Sequence, residues 1–179
     1  SGGAMTLLAT QTASGSANLS FTSGIDDTYD SYVFKFYNIH PATNGTFFQF
    51  NMSTDSGSNY NVAKTTTAFY AYHTESGSAS ALTYDAGQDL AQGTGFQNLL
   101  YAISSDNDSA GSGELSIYSP SSDTFVKHFL ATSNTAATTP YTINFRYAGY
   151  GNTTSAVNAI RFQMSSGNFD GVIKLYGVS

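Results

Sequence analysis

Aromatic residues spaced two apart, with small polar residues between them, constrain this chain more than any other feature. Tyr32, Phe34 and Phe36 fall on one parity of a run, and Val33, Lys35 and Tyr37 on the other. Phe48, Phe50 and Met52 repeat the pattern, as do Ala68, Tyr70 and Tyr72 against Thr67, Phe69 and Ala71. A period of two puts alternate side chains on opposite faces of a strand, so each run predicts a half-buried β-strand. The chain has 13 Tyr and 13 Phe among 179 residues, enough rings to fill a core that is short of Leu and Ile.

Ten such runs are legible: 17–21, 29–38, 46–53, 65–73, 96–103, 114–118, 125–131, 141–147, 159–164 and 171–178. Turn chemistry separates them, with Ser23-Gly24-Ile25-Asp26-Asp27, Asn44-Gly45, Asp55-Ser56-Gly57-Ser58 and Ser165-Ser166-Gly167-Asn168 as the clearest cases. Residues 75–80 and 104–113 read as loops. No segment carries a 3.6-residue apolar stripe over three turns; a short helical turn within 85–96 is opposed by Gly87, Gly93 and Gly95. Nine or ten short strands without helices predict an all-β chain, an antiparallel β-sandwich of jelly-roll type. Residues 5–179 read as one domain, and Ser1-Gly2-Gly3-Ala4 as a cloning remnant.

Charge narrows the functional classes. Six basic against twelve acidic residues give a net charge of −6. The basic residues are scattered singly, whereas phosphate backbones are gripped by clustered Lys and Arg, so no nucleic-acid partner is expected. No apolar run reaches the ~20 residues a membrane span requires, so no membrane insertion is expected. Zero cysteines rule out disulfides, thiolate zinc sites and thiol catalysis.

Chemistry-bearing residues are sparse. His40, His73 and His128 fit loop and strand positions better than a nucleophilic triad. Most of the carboxylates fall in turns, where Asp bonds its own backbone. Glu114 opens a strand without an evident partner. No catalytic residue is therefore assigned, and no cofactor. Asp106-Asn107-Asp108-Ser109-Ala110-Gly111 begins like a calcium loop, but its twelfth place is Ile117 rather than Glu. Asp106 and Asp108 remain weak candidates for Ca²⁺, alongside Asp26, Asp27 and Asp30. The better argument for binding comes from tyrosines that strand parity turns outward: Tyr70, Tyr72, Tyr147 and Tyr150. Exposed tyrosines beside Asn and Asp side chains grip sugars, the ring stacking on CH faces while the polar groups take hydroxyls. The competing reading puts the same rings in the core or at a subunit contact.

Residues 21–36, Phe-Thr-Ser-Gly-Ile-Asp-Asp-Thr-Tyr-Asp-Ser-Tyr-Val-Phe-Lys-Phe, are followed by Asn38-Ile-His-Pro-Ala-Thr-Asn-Gly45. The chain closes on Ile160-Arg-Phe-Gln-Met-Ser-Ser-Gly-Asn-Phe-Asp-Gly-Val-Ile-Lys-Leu-Tyr-Gly177. Together with Asp89–Asn98 and Tyr118–His128, these segments resemble a recurring domain of tailed-phage structural proteins, notably marine ones. The resemblance covers nearly everything after Ala13. It implies a non-enzymatic virion surface protein of tail-fibre, receptor-binding or head-decorating type. Its partners would be copies of itself, as a homotrimer, other virion proteins, and host surface polysaccharide. A carbohydrate-binding module of a secreted bacterial enzyme is the alternative, and a glycan-degrading tail enzyme a third.

Overall fold

The computed structural model describes residues 4–179, so Ser1–Gly3 of the expected remnant lie outside the described residues. Among the described residues there are twelve strands and no helix. They are β1 (Thr6–Ser16), β2 (Asn18–Phe21), β3 (Ser31–Pro41), β4 (Thr46–Ser53), β5 (Lys64–Thr74) and β6 (Ser80–Tyr84), then β7 (Gln97–Ile103), β8 (Gly111–Tyr118), β9 (Lys127–Ala136), β10 (Tyr141–Gly151), β11 (Ala159–Met164) and β12 (Phe169–Val178). One sheet runs β1-β12-β3-β8-β9-β10-β5-β6 and the other β2-β11-β4-β7, with every pairing antiparallel.

The pairs β1–β12, β2–β11, β3–β8 and β4–β7 nest inside one another. They describe one long antiparallel hairpin, rolled so that its pairs fall alternately in the two sheets. That is a jelly roll. The hairpins β5–β6 and β9–β10 are insertions in this scheme. Both join the larger sheet beyond β8, in the order β9-β10-β5-β6, and widen it past its partner.

The strand parity read from sequence holds. Tyr32, Phe34, Phe36, Phe48, Phe50 and Met52 are all buried. Rings meet across the layers: Phe34–Phe162 at 5.2 Å, Phe36–Phe48 at 5.4 Å and Phe50–Phe129 at 5.1 Å between centroids. Each such pair contributes about 0.5–1.5 kcal/mol beyond area burial.

Tyr32 also ties down the turn before β3. Its hydroxyl donates to the Asp26 carboxylate (2.9 Å) and accepts from the Asp26 N–H (3.1 Å). Gly24 in that turn has φ +80°.

Two expectations need correction. The strand count is twelve, because β1 and β6 were missed. Gly111–Tyr118 is a strand from its first residue, so the loop that precedes it ends at residue 110. The turn at Ser165–Asn168 reverses the chain without closing a hairpin, since β11 and β12 belong to different sheets.

Candidate functional site

The widened sheet creates a surface that the smaller sheet does not fully cover. The smaller sheet ends at β7, opposite β9 and β10. Beyond it, the inner face of β5 is divided in two. Its first half is roofed by the segment between β6 and β7. Lys64 and Gly93 exchange two backbone hydrogen bonds (2.9 and 3.0 Å), and the Leu90 N–H donates to Thr66 Oγ1 (2.8 Å). Its second half, Tyr70 to Thr74, has no such roof.

An open cleft of about 340 Å³ lies there, lined by Tyr70, Tyr72, Thr74, Tyr101, Thr139, Tyr141 and Ile143. Tyr70 and Tyr72 project from β5, Tyr141 and Ile143 from β10, and Tyr101 from β7. Tyr101 lies nearly parallel to Phe145 (5.3 Å, 21°) and to Tyr70 (6.5 Å, 21°). Tyr72 meets Tyr141 at 5.5 Å. All four tyrosines are half-buried and pack against the core on one side. Burial raises the phenol pKa values of Tyr70 and Tyr141, and the neighbouring ionisable groups add to it. Both phenols therefore stay protonated at neutral pH, each a donor and an acceptor.

Tyr101 reaches the cleft because β7 is irregular. Four residues of β7, Leu100 to Ile103, lie against three of β4, Thr46 to Phe48. Ala102 takes φ +42° within this bulge. Bulges re-aim side chains, and here Tyr101 turns toward β5 and β10.

The four tyrosines expected as ligand contacts separate. Tyr70 and Tyr72 stand together in the cleft, on the inner face of the sheet rather than the outer one. Tyr147 is a core residue, only 1% exposed, so its assignment as a surface contact is overturned. It shares the inward parity of Phe145, on which it stacks at 4.9 Å. Its hydroxyl has no hydrogen-bond partner, and burial drives its pKa far above the usual phenol value. Tyr150 lies on the opposite, outer face beside His128 (6.1 Å), along a shallow groove shared with Leu130 and Ala148. It cannot act with Tyr70 and Tyr72.

Asp106 and Asp108 sit on the exposed loop before β8. Among the described residues, no three His, Cys, Asp or Glu side chains gather in a way that could hold a metal ion. Asp26, Asp27 and Asp30 line one shallow depression. The Asp26 carboxylate is already engaged there by Thr28, whose N–H donates to it at 2.9 Å, and by the Tyr32 hydroxyl; Thr28 foremost, they hold its pKa below the ordinary carboxylate value. His40 Nδ1 lies 2.7 Å from the Ser109 carbonyl oxygen. Glu114 faces Lys35 across the outer surface at 3.7 Å.

Sequence reasoning missed Tyr101 and Tyr141. Tyr141 could have been found, since it shares the parity of Ile143, Phe145 and Tyr147 and opens its strand. Tyr101 shares the parity of Leu99 and Ile103, but Leu99 and Leu100 are both buried, so alternation around it offers no contrast.

No known family's sequence profile, no curated protein and no solved structure matches this chain.

Proposed function

We propose that this chain is a non-enzymatic surface component of a tailed-phage particle, and that its sandwich presents the tyrosine cleft to carbohydrate on the host cell. The observation that carries this reading is the cleft itself. Four phenol rings and the Thr139 hydroxyl surround one open space. Rings offer flat faces to the CH groups of a sugar, and hydroxyls exchange hydrogen bonds with its alcohols. Among the described residues lining the cleft there is neither a carboxylate nor a histidine, which favours binding over hydrolysis.

The particle setting rests on the resemblance of residues 21–45 and 160–177 to phage structural proteins. A carbohydrate-binding module of a secreted bacterial enzyme would use the same cleft. Light scattering after size-exclusion separates the two, since a stable homotrimer favours the particle and a monomer favours the module.

Adsorption to surface polysaccharide from candidate host bacteria tests the reading. The protein is expected to adsorb, and Tyr72→Ala with Tyr101→Ala to abolish adsorption. Undiminished adsorption of the double variant would remove the cleft from the function.

A further inference from the structure

The surroundings of the cleft restrict the kind of sugar it can take, and this inference rests on the carbohydrate reading above. All six basic side chains of the chain can be located, and none lines the cleft. Lys35 and Lys174 are cross-strand partners on the outer face of the larger sheet. The first faces Glu114 and the second lies over the Tyr37 ring at 5.7 Å. Arg146 alternates along β10 with the buried Phe145 and Tyr147, so it leaves the sheet on the outer side. Arg161 donates from Nε to Ser20 Oγ (2.9 Å), with its guanidinium 4.2 Å from the Tyr60 ring centroid.

Lys64 and Lys127 are buried and committed to the protein's own oxygens. Lys64 Nζ donates to Asn51 Oδ1 (2.6 Å) and to the Val62 carbonyl (2.7 Å). Lys127 Nζ donates to the carbonyls of Ser122 (2.5 Å), Phe125 (2.7 Å) and Thr153 (3.3 Å).

The nearby charge is negative. Asp85 acts on both Tyr70 and Tyr147 and raises their pKa values further. The whole chain adds a net charge of −6. A carboxylate or sulfate entering the cleft would lose hydration, find no cation to pair with, and meet this repulsion. A neutral sugar loses nothing comparable: its hydroxyls find the phenols of four tyrosines and the Thr139 hydroxyl, and its ring finds the tyrosine faces.

We propose that the cleft between Tyr70, Tyr72, Tyr101 and Tyr141 selects uncharged sugar units and rejects uronic, sialic and sulfated ones. The test uses matched pairs with one stereochemistry, mannotetraose against tetramannuronate and galactotetraose against tetragalacturonate, titrated into the full chain by calorimetry at low and high salt. The neutral member of a binding pair should bind at least about tenfold more tightly than its acidic partner. High salt should narrow the gap by screening, and Thr139→Lys should narrow it by supplying the missing cation. Equal or tighter binding of an acidic member would overturn the charge selection and leave the cleft as a sugar site. Binding of neither member of either pair at millimolar concentration would overturn the carbohydrate reading, and this inference with it.

Discussion

Two buried polar side chains carry the sharpest tests at the residue scale. The Tyr147 hydroxyl is buried without a partner, and such a group costs about 1–3 kcal/mol. Tyr147→Phe deletes it and keeps the ring on Phe145. Thermal unfolding should show that variant at least as stable as the wild type, by about 1 kcal/mol. A loss of stability would mean the hydroxyl is satisfied. Lys64 is the opposite case, an ammonium held by two neutral oxygens with no carboxylate against it. Burial lowers its pKa from 10.5 to about 7. Between those values the unfolded chain binds more protons than the folded one, so this group makes stability rise with pH from about 7 to about 10. Lys64→Met should flatten that slope in urea titrations, by at most about 5 kcal/mol over the window. An unchanged slope would place the ordinary pKa back on Lys64.

At the element scale, the four sheet edges are not alike. Among them, β1 and β7 are broken by register shifts and β2 is four residues long. β6 pairs with β5 in unbroken register, is exposed along its whole length and bears no charge. Unprotected, regular edges recruit other strands. Leu82→Lys is expected to raise the concentration at which the protein self-associates on mild heating, without shifting the unfolding temperature; scattering and calorimetry would read the two effects. Gly113 is a second point of control. A Cβ there would lie 2.8 Å from the Phe36 ring and from Ser133 Cα, and collide with the Thr132 carbonyl. Gly113→Ala should cost about 1–3 kcal/mol, measured by chemical denaturation.

These elements also show how far the sequence could be read. β3, β4 and the interior half of β5 were legible because large apolar residues alternate with smaller or polar ones along them. β6 was not, since Ser-Ala-Leu-Thr-Tyr is exposed on both faces and carries no contrast. β1 was missed for the same reason, being exposed or half-buried at all but Ala13. Parity correctly paired Tyr70 with Tyr72, but it could not tell Tyr141, beyond the cover of the second layer, from Tyr147 beneath it. That distinction depends on where the partner sheet ends, which local pattern does not encode.

At the scale of the whole molecule, the rolled hairpin joins the two ends of the chain, pairing Thr6 with Gly177. Most contacts are therefore distant in sequence, and folding rates fall as such contacts dominate. Refolding from denaturant should take milliseconds to seconds or longer, and a microsecond phase accounting for the full recovery of structure would contradict this topology. The two inserted hairpins give the molecule its one asymmetry. They extend the larger sheet past its partner, and the uncovered strip is where the tyrosines collect. The framework builds the core, and the insertions build the cleft.

Chemical-shift mapping of ¹³C-labelled tyrosine rings, during titration with a neutral tetrasaccharide that binds, tests this account most directly. Ring signals of Tyr70, Tyr72, Tyr101 and Tyr141 should move together and saturate with one affinity, while Tyr118 and Tyr150 on the outer face stay still. Movement confined to Tyr118 and Tyr150, with the cleft rings silent, would contradict it.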